Sequence, residues 1–364
     1  MGIDNDALID LVRTTLKDLP EGQFEMAWDS QEFEFCRIYS QNRRKVDGGT
    51  SIQRNIVLDE TGAASYRRLY DTDQPSVENV QSQIDVPWTQ LGTNYSWDVL
   101  EIMRNKASGK GYIDLMESRR LERLWGLAEL IEDRGWLTPT SATDNLFPYG
   151  VPYYLNKAPA NTAAGTSGFN GQTIRYSDGS TGTIAAGIDA AVEAKWRNYT
   201  AVYTAANNEL LRALRRAFLL TRFRPPSNIS NAPGSDAPGS FRKLYTNADV
   251  AVELQDLADK RDDSSSPRDL AGKALIDVEG TTYFNRVPVV YIPQLDSDAS
   301  DPLYYVDFDK FQPIVQDGYW MEEGKPMMDR GQHTTVTVFV DAAHQNLCIN
   351  RRTAGFVVHK LVTS

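Results

Sequence analysis

Cysteine and histidine are scarce in this sequence, and long apolar runs are absent from it. Cys36 and Cys348 are the only cysteines among 364 residues, and both have apolar neighbours. We therefore expect buried, unreactive thiols and no disulfide framework. The three histidines, His333, His344 and His359, match no metal-binding spacing. The sequence has no stretch of about 18 apolar residues, so we expect no membrane-spanning helix.

Catalytic motifs are also lacking. The glycine-rich segment 165–171 matches neither a dinucleotide-binding nor a phosphate-binding loop, so we expect a flexible loop there. The acidic segment 296–301 lacks the central glycine and terminal glutamate of a calcium loop, and a solvated turn is expected. Asp178-Gly179-Ser180 resembles half of an aspartic protease site, but no second copy exists. We predict a protein that is not an enzyme, with no catalytic residues, metal ligands or cofactor.

The charge balance is acidic. Lys and Arg total 38 and Asp and Glu total 49, so the formal net charge is −11. Tight binding of nucleic acid needs clustered cations, so this acidic charge balance is more compatible with enclosing nucleic acid than with binding it tightly. A locally basic helix contains Arg212, Arg215, Arg216, Arg222 and Arg224. Two interpretations stay open: a solvated face paired with acids such as Glu209, or a contact with an acidic neighbouring subunit. The N-terminus lacks the features of a secretory signal, so the cytosol is the default compartment.

One long helix is the strongest positive feature. Apolar residues recur with helical spacing over 112–134, and the stripe includes Leu124, Trp125, Leu127 and Ile131. Gly135 follows as a helix stop. A helix of this length extends about 34 Å, roughly twice the usual length in a globular protein. The pattern predicts a rigid rod.

A hairpin precedes this helix in the sequence. Segments 52–58 and 80–86 have strand-like alternation, 59–62 has the composition of a type I turn, and 66–70 returns from it. The hairpin has little apolar surface to bury. Because an isolated two-stranded hairpin is marginal in water, we expect neighbouring subunits to complete it.

The rest of the chain mixes helices and strands without regular alternation, which predicts the α+β class. Residues 24–39 are expected to be extended, and Trp196–Tyr203 helical or turn-like. Helices are expected at 6–19, after Ser96, and after the caps Asn207 and Asn247. The remaining predicted strands are 286–292, 303–308, 334–340 and 347–358.

This order of parts resembles the major capsid proteins of tailed bacteriophages, which have the Hong Kong 97-type fold. Segments that are similar to A-domain and C-terminal sequences of this family are Trp196-Arg197-Asn198-Tyr199, 286–293 and Asn350-Arg351-Arg352. The resemblance implies the following division: N-terminal arm 1–48, E-loop hairpin 49–92, peripheral (P) domain 93–137 with spine helix 112–134, axial (A) domain 138–325, and C-terminal strands 326–364 that return to the P/A sheet.

The resemblance also implies a function. It predicts a shell subunit that assembles as pentamers and hexamers around double-stranded DNA, in a virion assembled in the host cytoplasm. Scaffolding and portal proteins, and possibly cement proteins, are expected to be separate chains. No lysine occurs between Lys45 and Lys106, so no covalent cross-link from the hairpin is expected. The candidate interface residues are Arg67, Arg68, Tyr70, Arg119 and Arg123.

Two alternatives stay open at this point. One is an encapsulin-like bacterial compartment with the same fold. The other, less favoured, is a hydrolase whose site uses loop carboxylates in 138–186.

Overall fold

The computed structural model describes residues 33–58, 66, 68–69, 81–104, 109–160, 162–222, 241–262, 282–329 and 331–361. The predicted helix at 6–19 and the predicted turn at 59–62 lie outside these residues.

Seven helices lie in the described ranges. They are α1 (Glu34–Gln41), α2 (Val99–Arg104), α3 (Gly109–Gly135), α4 (Val151–Tyr154), α5 (Asn208–Leu220), α6 (Ala248–Asp262) and α7 (Arg351–Ala354), with short 3-10 turns at Ala194–Trp196 and Pro293–Leu295. The strands are β1 (Arg44–Val46), β2 (Ser51–Val57), β3 (Gln81–Pro87), β4 (Thr89–Asp98), β5 (Ser167–Gly171), β6 (Ile174–Arg175), β7 (Thr181–Gly182), β8 (Ile184–Ala185), β9 (Ile188–Asp189), β10 (Asn198–Tyr203), β11 (Arg242–Thr246), β12 (Tyr283–Phe284), β13 (Val287–Tyr291), β14 (Leu303–Asp307), β15 (Phe311–Gln316), β16 (Glu322–Glu323), β17 (Met327–Asp329), β18 (Gln332–Cys348) and β19 (Gly355–Lys360).

Two sheets organise the chain, and the α+β class is confirmed. In the first, the long strand β18 pairs with β4, β15, β16 and β17, and β1 joins β15 in parallel. The second has seven strands in the order β12-β13-β11-β14-β19-β10-β5. Because β18 and β19 are separated only by α7, the C-terminal segment takes part in both sheets.

The two helices of the seven-stranded sheet begin where the sequence predicts. The side chain of Asn207 accepts a hydrogen bond from Glu209 N at 2.7 Å, and that of Asn247 from Val250 N at 3.1 Å. Asparagine caps of this kind satisfy amide groups that a helix start leaves without a partner. Both helices bury apolar residues in one shared core cluster: Leu210, Leu211, Leu214, Ala217, Val250 and Leu254.

Three predictions of local structure are wrong. Within 24–39, the described end forms helix α1, because Phe35, Ile38 and Tyr39 follow helical spacing and bury one face. Trp196–Tyr203 contains the interior strand β10, which lies between β19 and β5 and whose six residues are all buried. A strand covered on both faces has no polar alternation to reveal it. The strand predicted from 347 is interrupted, since Asn350 caps helix α7 through its side chain.

The segment after the hairpin also differs from expectation. Ser96 does not cap a helix, because β4 continues to Asp98 and pairs over ten residues with β18. Helix α2 follows, and Leu100 N donates to Asp98 Oδ1 at 2.8 Å. The glycine-rich segment 165–171 contains strand β5, which pairs with β10 and is therefore not a loop.

The long helix is confirmed, but its buried face is narrower than predicted. Helix α3 has 27 residues, about 40 Å of length. Leu127 and Ile131 are 3% exposed, whereas Trp125 is 38% and Leu130 41% exposed. The Trp125 ring instead meets Phe33 edge-on, with 5.3 Å between centroids. Trp125 therefore lies at the rim of the stripe that contacts the core.

This geometry predicts unequal costs for two truncations on one helix. Trp125→Ala should lower the free energy of unfolding by about 1 kcal/mol, the worth of a partly exposed aromatic contact. Leu127→Ala, two residues away, should cost about 2–5 kcal/mol because it leaves a cavity in the core. Urea denaturation of both variants measures this, and equal losses would contradict the assigned helix orientation.

Candidate subunit interface

The hairpin presents polar surface that the described chain does not cover. Among the described strands, β2 and β3 pair only with each other, from Ser51 opposite Pro87 to Val57 opposite Gln81. On the exposed face, Gln83 Nε2 donates to Gln53 Oε1 at 2.9 Å. Val57, near the outer end of the strand pair, is 63% exposed. The outer part of the hairpin is thus a candidate contact for another copy.

The base of the hairpin is anchored more firmly than the sequence suggests. Ile52, Ile84 and Val86 are buried in the main core, and Asp85 N donates to Ala186 O at 3.1 Å. The expectation that the hairpin has little to bury is wrong for this base. Beyond Ile52 and Ile84, Ile56 and Leu58 are still partly buried against this core, whereas the face with Gln53 and Val57 is exposed.

The two candidate interface residues of the spine helix, Arg119 and Arg123, differ in their contacts. Arg119 is engaged within its own chain, since its guanidinium donates to both carboxylate oxygens of Glu101 at 2.9 and 3.1 Å and to Ser96 O at 3.1 Å. This links α3 to α2 and the end of β4. Arg123 is exposed on α3. The neighbouring Arg120 pairs with Glu323 of β16 at 2.6 Å.

The hairpin candidates are only partly within the described residues. Arg68 is described and exposed, whereas Arg67 and Tyr70 lie outside the described residues. Their role at an interface stays a prediction.

Two buried carboxylates join α1, α3 and the seven-stranded sheet. Glu132 of α3 accepts from Phe35 N at 2.7 Å and from Trp136 Nε1 at 2.8 Å, so the spine helix caps the start of α1. Glu34 accepts from Tyr245 OH at 2.8 Å and pairs with Lys243 Nζ at 2.8 Å. No sequence pattern indicated either role, because the partners come from distant segments.

The pKa values of the two carboxylates are shifted in opposite directions. Burial raises the pKa of Glu132 to about 7, against the hydrogen bonds from Trp136 and Phe35. Burial alone would raise the pKa of Glu34, but hydrogen bonds from Arg37 and Lys243 bring it below the usual value. Glu132 therefore stabilises the fold most when protonated, and this contribution is lost as the pH rises through about 7.

Removing Glu132 should change how stability depends on pH. From pH 6 to pH 8, the free energy of unfolding of the wild type should fall by about 1.4 kcal/mol relative to Glu132→Gln. The comparison is needed because burial also lowers the pKa of His344 and His359 to about 4, and these histidines add stability as pH rises through 6.5. Urea denaturation at both pH values tests this, and parallel curves would contradict it.

A buried arginine connects two of the segments that carry the family resemblance. Arg351 is fully buried, and its Nε donates to Tyr154 O at 2.7 Å. Its Nη2 donates to Gly171 O at 3.2 Å and to Asn198 Oδ1 at 3.3 Å. The guanidinium carbon lies 5.9 Å from the Trp196 ring centroid. Burial lowers the pKa of Arg351 to about 10, so it stays charged at neutral pH.

The backbone around this arginine is closely packed. A Cβ on Gly171 would lie 2.0 Å from Asn198 Oδ1, so only glycine fits there. Asn198 Nδ2 in turn donates to Asn156 O at 2.8 Å. This cluster, formed by Arg351, Asn198, Gly171, Trp196 and Tyr154, joins α7, β10, β5 and α4 and is termed the Arg351 cluster below.

The segments considered as sites in the sequence have structural contacts. Asp298 pairs with Lys157, Asp301 pairs with Lys360, and Asp296 accepts from Tyr291 OH, so the acidic segment 296–301 is not simply a solvated turn. Burial raises the pKa of Cys36 and Cys348 to about 12, as expected for unreactive thiols. Within the described ranges, histidine, cysteine and carboxylate side chains form no metal-binding cluster of three. No helix in the described part of the chain is long and apolar enough to cross a membrane.

Comparison with known proteins relates this architecture to solved capsids. No protein-family model and no curated protein matches the chain. Among solved structures, the cyanophage A-1(L) capsid asymmetric unit is similar over 95% of this chain and 98% of that chain, with a TM-score of 0.58 and 12% identity. The capsid of the empty GTA particle is similar over 99% and 100%, with a TM-score of 0.51 and 9% identity. The capsid of Myoviridae phage XM1 is similar over 99% of both chains, with a TM-score of 0.50 and 10% identity.

These similarities extend over nearly the whole of each chain, so they concern the complete fold. The chain has the Hong Kong 97-type fold of tailed-phage capsid proteins, as the sequence resemblance implied.

Proposed function

We propose that this chain is a major capsid protein that self-assembles, as pentamers and hexamers, into an icosahedral shell enclosing the double-stranded DNA of a tailed phage. The observation that carries this proposal is the end-to-end likeness to subunits of phage capsids, with 95% of this chain and 98% of the cyanophage chain covered. The role is structural, not enzymatic.

The exposed surfaces support assembly with other copies. The outer hairpin has a polar face and an exposed Val57 that the described chain leaves uncovered. A strand pair of this kind gains partners by packing on another subunit. We propose that Arg68 and Arg123 contribute to such contacts, together with Arg67 and Tyr70. The contacts are non-covalent, because the hairpin lacks a lysine nucleophile.

The sheets suggest how the chain divides. The P domain consists of α3 and the β18 sheet, and the A domain consists of the seven-stranded sheet with α5 and α6. Strand β15 pairs with β18, so we place it in the P domain although the sequence division assigned it to 138–325. Scaffolding, portal and cement functions belong to other proteins, and assembly takes place in the host cytoplasm before the subunit becomes part of the virion.

Electron microscopy and light scattering of the purified full chain test the function. Closed shells or isolated capsomers are the expected products. A stable monomer of 40.8 kDa across protein and salt concentrations would contradict the proposal. Particles isolated from infected cells that are large and filled with DNA would support a phage head, whereas small shells filled with enzyme cargo would support the encapsulin-like alternative.

A further inference from the structure

Helix α5 carries a basic stripe on its outer face. Arg212 and Arg216 are exposed one turn apart, and Leu219, which continues the same face, is 72% exposed. The opposite face is buried in the core of the seven-stranded sheet. The stripe formed by Arg212, Arg216 and Leu219, termed the basic stripe, therefore faces away from its own subunit.

Glu209, the acid that the sequence suggests as a local partner of these arginines, forms a different contact. Glu209 Oε2 accepts from Thr204 N at 3.3 Å, at the start of the helix. Neither Arg212 nor Arg216 forms an ion pair with a carboxylate in the ranges that the structure describes. Of the two interpretations of this basic helix, the contact with a neighbouring subunit gains support.

Helix α6 carries the opposite charge with matching spacing. Asp249, Glu253 and Asp256 are exposed at successive turns of one face, and Val252 beside them is 57% exposed. The surface formed by these four residues is termed the acidic stripe. Lys360 lies nearby, but its ammonium pairs with Asp301 Oδ2 at 2.5 Å. The stripe therefore keeps a net negative charge.

The two stripes belong to one domain but do not neutralise each other. Both helices share a core cluster in the seven-stranded sheet, and no ion pair joins the two stripes in the described part of the chain. One subunit thus offers a basic surface and an acidic surface, each bordered by exposed apolar side chains. Two different complementary surfaces on one chain are the requirement for head-to-tail association, which closes into rings when the rotation permits.

We propose that the basic stripe of one copy docks on the acidic stripe of the next copy, in a head-to-tail contact that builds rings of subunits. This inference rests on the proposed function and names the surfaces that join neighbouring copies. Exposed charges are screened by salt, so ring formation should weaken as ionic strength increases. The apolar residues Leu219 and Val252 then pack at the same contact.

Charge reversal tests the pairing. Arg212→Glu/Arg216→Glu should reduce the fraction of associated protein at low salt by about tenfold or more, because like charges then face each other. Glu253→Lys/Asp256→Lys should do the same. The chain with all four substitutions has exchanged its two stripes and should regain association. Lys325→Glu/Arg286→Glu alters two exposed residues elsewhere with the same change in net charge as Arg212→Glu/Arg216→Glu, and should associate like the wild type.

Sedimentation velocity measures association, electron microscopy detects shells, and circular dichroism melting verifies that each variant folds. Loss in both double variants with recovery in the fourfold variant supports the contact. Unchanged association of the folded double variants, or no recovery in the fourfold variant, overturns it. If the wild type forms small shells filled with enzyme cargo, the proposed phage function fails while the charge reversals still decide the contact. A wild type that stays monomeric overturns both.

Discussion

Replacing Arg351 by alanine is expected to lower the free energy of unfolding by about 3–5 kcal/mol. The substitution removes a fully buried side chain and the donor to Tyr154 O and Gly171 O, while Asn198 Oδ1 keeps its hydrogen bond from Asn156 N at 3.1 Å. Each buried acceptor without a partner costs about 1–3 kcal/mol, and the cavity adds to the loss. Because the Arg351 cluster joins strands of the seven-stranded sheet to α4 and α7, the loss should affect the whole subunit.

The adjacent arginine is a matched control. Arg352 is half-buried, and its guanidinium lies 4.0 Å from the Phe169 ring centroid without the backbone acceptors of Arg351. Arg352→Ala should therefore cost about 1 kcal/mol. Equilibrium denaturation in urea of both variants gives the comparison. A loss below about 1 kcal/mol for Arg351→Ala would show that the cluster does not support the fold.

Removing the outer hairpin should abolish assembly and leave the subunit folded. In this variant, residues 53–83 are replaced by a short Gly/Ser bridge, which retains the buried base residues Ile52, Ile84 and Val86. In the described part of the removed segment, Gln53, Asn55 and Val57 are exposed, and Ile56 and Leu58 are only partly buried against the core. We expect a cooperative melt close to that of the wild type and no shells in electron micrographs.

A point substitution at the base separates folding from assembly. Ile84→Ala keeps the outer hairpin but removes a side chain that is 0% exposed, so it should destabilise the subunit by about 2–5 kcal/mol. At a temperature where it remains folded, this variant should still form shells. If the hairpin deletion instead unfolds the subunit, the outer hairpin is part of the core and its assignment as an interface is wrong.

The sequence predicted elements with strong periodicity well. Strands expected at 52–58 and 80–86 form a hairpin at Ser51–Val57 and Gln81–Pro87, because their alternation matches one buried face. The caps Asn207 and Asn247 were located correctly, since capping depends on a side chain and an amide two or three residues away. These features depend on neighbouring residues, which a sequence displays directly.

Elsewhere, burial of a strand on both faces left no alternation of apolar and polar residues from which the strand could be predicted. Strand β10 has six consecutive buried residues, and four of them are polar or aromatic residues that a turn also accepts: Asn198, Tyr199, Thr200 and Tyr203. Trp125 was placed in the apolar stripe because its type and spacing fit. Its real exposure depends on how far the core extends along α3, which no local pattern shows.

The sequence alone predicted the α+β class, the long helix and the hairpin, because each depends on local periodicity. It also predicted the order of parts that resembles phage capsid proteins, because that depends on sequence order. Only the tertiary structure showed that Arg351 meets Asn198 and Gly171, and that Glu132 caps α1. These contacts join residues 97 to 180 positions apart. Because these side chains are buried, a single arginine or glutamate contributes strongly to the stability of the fold there. Burial depends on how distant segments pack together in the folded subunit.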